Sequence, residues 1–357
     1  MFRRFFSVKS SISQAIGRTP IVQLSPSLVG RTDVSVLAKC EFMNPASSVK
    51  DRLGIALLRA AEESGQLQKG GVIADATSGN TGIALAMAAA AEGYKCVIVM
   101  AEQFSIERRL VMRGLGAQVV LTPAADAAMG MFAKLRELCD KHGYVNARQF
   151  ESEANERYHA MTTAPEILLD TADAPPTHLI MSYGTGGTAH GVARVMRAAY
   201  GENKPLIIKL AEPAEAPMVT SGLPQERDAT SGYATAPHPA WKKHAVQGWA
   251  PQTIPAVLQR GLDAGYFDGT VTVTDAESIA MARKLAHTQG IFTGISGGGA
   301  VAATLKEAAT APPGSVLLTV IADGGDRYLS TPLFEGVATE MNDEEMAISK
   351  STPSHQL

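Results

Sequence analysis

Val72-Ile73-Ala74-Asp75-Ala76 has the length and make-up of a strand, and Thr77-Ser78-Gly79-Asn80-Thr81-Gly82 follows it without a spacer. An alanine-rich segment of helix length then runs over 80–92. A strand that passes through a glycine turn straight into a helix is the repeating half of a β–α–β unit. The chain repeats that pattern in both directions. Strand-length apolar runs fall at 35–40, 96–100, 118–122, 178–182, 206–211, 270–273 and 315–321. Helix-length segments fall among them at 49–64, 105–115, 127–141, 188–200, 276–289 and 298–309. Such alternation predicts an α/β fold, with parallel sheets covered by helices on both faces. At 357 residues, 45% of them hydrophobic, the chain is long enough for a sizeable core and about two domains.

Composition excludes some function classes. A formal net charge of −3 leaves no basic footprint for nucleic acid. The longest uncharged apolar run, Gly82 to Ala91, is far shorter than the ~18–20 residues that cross a membrane. Cys40, Cys96 and Cys139 have neither paired nor metal-type spacing and read as buried, reduced thiols. No His, Cys and carboxylate cluster has zinc spacing, so no metal is expected. Residues 1–18 hold Arg3, Arg4, Lys9 and Arg18, with Ser7, Ser10, Ser11 and Ser13, and no acid precedes Asp33. That is the composition of a mitochondrial transit peptide. It equally suits a plain arm whose Phe2, Phe5 and Phe6 pack on the body, so the expected location is cytoplasmic or mitochondrial. The stretch 221–239, rich in Gly, Pro, Ser and Thr, reads as a long site-forming loop. The tail 342–357 reads as a frayed terminus.

Four loops carry chemistry. In Asn44-Pro45-Ala46-Ser47-Ser48-Val49-Lys50-Asp51-Arg52, Ser48 with Asp51 fits a capping box and starts a helix near Val49. Gly65 can end it. Lys50 then stands in the first turn, where the helix dipole opposes a cation. It is either a solvated lysine or an amine held more readily neutral, fit to form a Schiff base. Thr77 to Gly82 has hydroxyls and backbone N–H groups at a helix start and no cation, which suits a carboxylate. A capped β–α turn is the plainer reading. Gly184-Thr185-Gly186-Gly187-Thr188 is a phosphate cradle by its glycines, two hydroxyls and helix dipole. It matches neither a Walker A loop nor a dinucleotide fingerprint. Gly294-Ile295-Ser296-Gly297-Gly298-Gly299 opens a further helix, with Ser296 a cap or a neutral partner for a ligand.

Taken in this order, the four loops resemble those of the cysteine synthase (O-acetylserine sulfhydrylase) and cystathionine β-synthase family of fold-type-II pyridoxal-phosphate enzymes. The resemblance runs over about residues 12–335 and includes Ile16-Gly17-Arg18-Thr19-Pro20, Ser105-Ile106-Glu107-Arg108-Arg109 and Gly325-Asp326-Arg327-Tyr328. It implies two three-layer α/β domains with mainly parallel twisted sheets, in a tryptophan-synthase-β-like architecture. Residues 1–15 would be the arm or transit segment, 45–155 a smaller mobile domain, 16–44 with 156–335 a larger domain that binds the cofactor's phosphate, and 336–357 a tail. It implies pyridoxal 5′-phosphate on Lys50, with Asn80 at the ring oxygen, Gly184, Thr185, Gly186, Gly187 and Thr188 around the phosphate, and Ser296 at the pyridine nitrogen. Thr77, Ser78, Gly79, Thr81 and Gln149 would bind the substrate carboxylate. The implied reaction is β-replacement through an aminoacrylate, giving L-cysteine from O-acetyl-L-serine and sulfide. The alternatives are β-replacement on serine or another activated serine, with sulfide or another thiol nucleophile, as in cystathionine or cyanoalanine synthesis, or a weakly active homologue that binds a partner. The implied partners are a second copy of the chain and serine acetyltransferase.

The sequence also departs from that family. Ala101-Glu102-Gln103-Phe104 stands where Pro-x-x-Met is usual, Ala164 replaces a glycine, and Gly297 a serine. The usually glycine-rich loop at the substrate mouth reads Gln247-Gly248-Trp249-Ala250-Pro251, and Tyr183 precedes the phosphate loop. Phe104, Tyr183 and Trp249 together suggest a reshaped or narrower entrance, set against neutral drift with repacking.

Overall fold

A computed structural model describes residues 8–77, 79–201, 205–229 and 234–355. The first seven residues of the N-terminal arm or transit segment, Ser78, and residues 230–233 of the long loop therefore lie outside the described residues. The strands are β1 (Ile21–Gln23), β2 (Ser35–Cys40), β3 (Val72–Ala76), β4 (Lys95–Ala101), β5 (Gln118–Thr122), β6 (Val145–Asn146), β7 (His178–Ser182), β8 (Ile207–Pro213), β9 (Gly269–Val273) and β10 (Val316–Ile321). The helices are α1 (Pro26–Val29), α2 (Lys50–Glu63), α3 (Asn80–Glu92), α4 (Ile106–Gly114), α5 (Ala127–His142), α6 (Ala154–Met161), α7 (Thr163–Asp170), α8 (Gly187–Tyr200), α9 (Ala256–Asp263), α10 (Asp275–Gln289), α11 (Ile295–Thr310) and α12 (Asp343–Lys350).

Two sheets result, one of six strands in the order β1-β2-β10-β7-β8-β9 and one of four in the order β5-β4-β3-β6. Every pairing is parallel except β1 with β2. The inner parallel strands β3, β4, β7 and β10 are buried almost throughout because helices cover both their faces, while β5, at the edge of the four-stranded sheet, stays partly exposed. Every expected strand and long helix is present, with ends shifted by at most three residues. β1, β6, α6, α7 and α9 are too short for a periodic signal. The tail is a correction. Asp343–Lys350 is helical, with Asn342 and Glu345 forming a capping box, although none of its residues is buried. Local capping is enough to order a turn or two that contributes nothing to the core. Among the described residues, no helix is long and apolar enough to cross a membrane.

Both sheets present the carboxyl ends of their strands to the loops singled out above, where open α/β sheets place ligands. The helices are packed to bring those loops together. Gly54 lets α2 lie directly on α3, since a Cβ there would stand 2.7 Å from the Ala84 carbonyl carbon. Two residues beyond Lys50, the buried Arg52 clamps α2 to the rest of the molecule. Its guanidinium donates to Glu41 at 2.7 and 2.9 Å and to Glu166 at 2.8 and 2.7 Å, and Lys39 adds a 2.9 Å ion pair to Glu166. Burial alone would raise the Glu166 carboxyl, but the hydrogen bonds and charge of Arg52 hold it at about 2. Removing one partner of such a buried network leaves a charge uncompensated, so the start of α2 is rigidly placed.

Candidate active site

Lys50 is the first residue of α2, as expected, but the capping box is not formed. The N-cap residue is Val49, with no side-chain cap. Asp51 instead takes the Ala46 N–H at 2.6 Å, and the Ser48 hydroxyl accepts from the Lys50 N–H at 3.2 Å. Ser48 also bridges to Asp323, beyond the end of β10, and this bridge draws the loop out of box geometry. The Lys50 amine is brought down to about 8 by burial, opposed by the charge of Asp323. A neutral, nucleophilic amine is thereby made easier to reach at the position where the sequence suggested it.

Asp323 links two of the expected cofactor residues, Asn80 and Ser296, and adds Tyr328. Its buried carboxyl accepts from Asn80 Nδ2 at 2.6 Å and from the Tyr328 hydroxyl at 2.5 Å, and Ser296 Oγ lies 3.5 Å away. Burial raises Asp323, against the hydrogen bonds of Tyr328 and Asn80. Asn80 Oδ1 accepts from Arg327 at 2.6 Å, and Arg327 also donates to the Ala46 carbonyl. Asn80 at the start of α3 is thus oriented from the six-stranded sheet's side.

Loop 184–188 has the expected form. Gly186 is the N-cap of α8 with φ +89°, no side chain caps the helix, and no acid stands in its first turn. Only glycine fits. A Cβ would lie 2.2 Å from the Gly248 carbonyl oxygen at 184, 2.6 Å from Leu258 Cβ at 186, and 1.8 Å from Asn155 Oδ1 at 187. The backbone is therefore pressed into a fixed cradle of N–H groups, the donor set a phosphate requires. Thr185 Oγ1 accepts from Asn155 Nδ2 at 2.9 Å, and Thr188 Oγ1 meets His159 Nε2 at 3.2 Å. His159 also meets Thr163 at 2.8 Å, and burial brings its imidazole down to about 3, so it stays neutral beside the cradle.

In the expected carboxylate site, Thr77 is buried and Gly79 N–H reaches Thr77 Oγ1 at 3.4 Å. Ser78 is outside the described residues. Thr81 and Gln149 are joined, with Thr81 Oγ1 donating to Gln149 Oε1 at 2.9 Å. The loop itself has no cation, but Arg108 Nη1 of α4 would lie 3.2 Å from a Cβ on Gly79. Its guanidinium also lies over the Tyr328 ring, 4.9 Å from the centroid. A positive charge therefore stands behind the loop. Asp75, Asn155, His159 and Asp323 were not singled out in the sequence, and Arg108 was noted only within a motif, without a role. Asp75 and Asp323 carried a usable signal, an acid at or just beyond the carboxyl end of a buried strand.

The suggested narrowing of the entrance does not hold. Tyr183 and Trp249 are buried in the core beneath the six-stranded sheet. The Tyr183 hydroxyl donates to Glu212 at 2.8 Å. The Trp249 ring fills space left by Gly299, whose Cβ would lie 3.0 Å from it. Gly297 likewise makes room for Thr293, whose Oγ1 would be 2.0 Å from a Cβ there. Phe104 packs, half-buried, on the four-stranded sheet. Trp249 and Thr293 thus occupy space that the glycines at 299 and 297 leave open.

Residues 12–323 match the family model described as pyridoxal-phosphate dependent enzyme. The chain is 41% identical over 338 residues to O-ureido-L-serine synthase of Streptomyces lavendulae, covering 95% of this chain and 96% of that one. It is 36% identical over 324 residues to cysteine synthase of Staphylococcus aureus, covering 91% and 96%. A crystal structure of O-ureido-L-serine synthase superposes with a TM-score of 0.84 at 40% identity, covering 96% of this chain and all of that one. The cradle, the low-lying lysine and these likenesses agree, and the chain belongs to the pyridoxal-phosphate dependent enzymes, in the fold-type-II group that performs β-replacement on serine and O-acetylserine.

Proposed function

We propose that this enzyme replaces the acetate of O-acetyl-L-serine with sulfide, giving L-cysteine. One observation carries the reading: Lys50, its amine at about 8, stands with the 184–188 cradle and the 77–81 loop at the carboxyl ends of two sheets. The departures Tyr183 and Trp249 are core residues and give no reason to abandon a small nucleophile.

The residues present fit pyridoxal phosphate. The N–H groups of α8 with Thr185 and Thr188 would hold its phosphate, Asn80 and Ser296 its ring, and Lys50 its aldehyde carbon. When bound, the cofactor supplies an electron sink for charge developing at the substrate's α-carbon. The chain's own groups do the rest. The 77–81 loop binds and orients the carboxylate, with the Arg108 charge behind it. Once the substrate's amino group displaces it from the aldehyde carbon, Lys50 Nζ would be free to take the proton from Cα; acetate would leave Cβ with its electron pair, the sulfide sulfur would bond to Cβ, and Lys50 would return the proton to Cα. An amine near 8 is matched to both directions of that transfer at neutral pH.

A second reading keeps the first substrate and changes the nucleophile to a hydroxyurea, giving O-ureido-L-serine. Its support is the 41% identity to an enzyme of that name. One assay separates the two. Purified enzyme receives O-acetyl-L-serine with sulfide, hydroxyurea or homocysteine, and products are resolved by mass. Cysteine as the fastest product upholds the proposal, and O-ureidoserine or cystathionine as the fastest replaces it. Lys50→Ala is expected to lose the borohydride-reducible cofactor adduct and at least ~10³-fold in turnover. The same reading includes a homodimer, which light scattering checks.

A further inference from the structure

Arg327 ends the short 3-10 turn, Gly325–Arg327, that follows β10. It is 6% exposed, and the reaction above gives it no part. Its guanidinium donates to Asn80 Oδ1 at 2.6 Å and to the carbonyl of Ala46, in the loop that leads into Lys50. Asp323 holds the other end of the same amide, accepting from Asn80 Nδ2 at 2.6 Å. One loop thus grips both ends of one side chain. That loop is itself pinned, since the Thr293 hydroxyl donates to the Asp323 carbonyl at 3.0 Å and Thr293 bridges to Gly324.

The two grips differ in kind. An amide's nitrogen and oxygen ends are near-equal in shape, so its partners decide which end points where. Asp323 is buried, burial raises it, and a carboxyl that gains a proton can donate as well as accept. It does not by itself choose the end of the amide. A guanidinium only donates, so Arg327 admits the amide oxygen alone. The nitrogen is thereby turned toward the Asp323 carboxyl, whose other oxygen lies 3.5 Å from Ser296 Oγ and whose charge acts on the Lys50 amine. Asp323 takes one N–H of that nitrogen and leaves the second for a ligand. In pyridoxal phosphate the ring oxygen is on the carbon next to the one that bears the aldehyde. A cofactor with its aldehyde at Lys50 and its ring nitrogen at Ser296 would need a donor for that oxygen, and an amide turned the other way would offer it a like partial charge.

We propose that Arg327 is a positioning residue for the cofactor, acting through Asn80 by making the amide nitrogen the end that meets the cofactor's ring oxygen. The inference rests on the reading above in which Asn80 holds the ring.

The test is fluorescence titration of the full-length apoprotein with pyridoxal phosphate and with 3-deoxypyridoxal phosphate, which lacks the ring oxygen. The readout is the ratio of the two affinities, from which any general loosening of the site cancels. Wild type is expected to prefer pyridoxal phosphate, and Arg327→Met to lose about tenfold of that preference, the worth of one hydrogen bond to a charged group. Arg327→Lys, which also only donates, is expected to keep more of the preference than Arg327→Gln, which can turn its own oxygen to Asn80. In an Asn80→Ala background, Arg327→Met is expected to leave the ratio unchanged. Equal losses for both cofactors, an unchanged ratio in Arg327→Met, an Arg327→Lys no better than Arg327→Gln, or a further fall in the Asn80→Ala background would each overturn the inference. If Arg327→Met does not fold, Arg327→Lys and Arg327→Gln carry the comparison. A wild type without the preference, or a preference that survives Asn80→Ala, overturns the reading of Asn80 and this inference together. A preference lost in Asn80→Ala but kept in Arg327→Met overturns the inference alone.

Discussion

α8 and α10 rise from neighbouring parts of one sheet, after β7 and β9, and they begin in opposite ways. α10 closes its own end. Thr274 Oγ1 accepts from the Glu277 N–H at 3.2 Å, Glu277 accepts from the Thr274 N–H at 2.7 Å, and Asp275 and Glu277 complement the dipole. α8 closes nothing. Its cap is a left-handed glycine, and its first turn has neither acid nor capping side chain. A helix start satisfied from within is framework, and one held open on a rigid glycine loop is kept for an anion. α2 goes further and puts a cation, Lys50, where α10 has acids.

The contrast breaks most visibly at Gly187. An added Cβ would overlap Asn155 Oδ1 at 1.8 Å, and Asn155 holds both Thr185 and Gln149. Gly187→Ala is expected to weaken cofactor binding by about 1–3 kcal/mol, up to roughly a hundredfold, as overpacking against a fixed neighbour does. Fluorescence titration of the apoprotein with pyridoxal phosphate measures it. Unchanged affinity would mean the cradle is looser than its packing implies.

The cation in α2 gives a pH signature. Lys50 titrates near 8 in the folded chain and near its ordinary 10.5 when unfolded. Between those values the unfolded chain holds a proton that the folded chain lacks, so this group makes folding more favourable as pH rises through the window and less favourable as it falls. Thermal melts of cofactor-free protein from pH 7.5 to 10 are expected to show wild type gaining stability relative to Lys50→Met. Parallel curves would place the lysine in ordinary solvent.

At α10 the expected effect is smaller and of a different kind. Thr274→Ala removes one side-chain cap and is expected to cost about 1 kcal/mol of stability. Cofactor affinity should not change. Denaturant melts and the titration above, run on the same preparation, separate the two readouts, and a loss of cofactor affinity would mean that α10 is not mere framework.

The sequence made the fold legible because its strands are continuous apolar runs, most of them buried, and its helices follow them in strict order. β3, β5 and β7 lie where the apolar runs put them. The site was legible wherever a loop had to be glycine, since a backbone pressed against Gly248, Leu258 and Asn155 leaves its mark in residue type. What was not legible came from side chains distant in sequence. Asp323 meets Asn80 across 243 positions and Gln149 meets Asp75 across 74, and no local pattern encodes such pairs. The misjudged entrance has the same cause. Trp249 looks like an obstruction until Gly299, fifty residues later, is found beneath its ring.

The weakest expected effect sharpens the comparison from the other side. α12 carries the same device as α10, with Asn342 accepting from the Glu345 N–H at 2.9 Å and Glu345 from the Asn342 N–H at 2.7 Å. It lacks what α10 has behind it, for Ser278, Ala282 and Leu285 are buried in α10 and nothing is buried in α12. A cap adds to global stability only if the helix it closes unfolds with the core. Asn342→Ala should therefore leave the global melt within about 0.5 kcal/mol, while amide exchange in 343–350 quickens several-fold. The matching change at Thr274 should do the reverse, moving the melt and leaving exchange at the start of α10 tied to global unfolding. If Asn342→Ala shifted the global melt as much as Thr274→Ala, α12 would have to be packed in solution against a surface of the chain, or of a second copy, that gives its cap a core to act on.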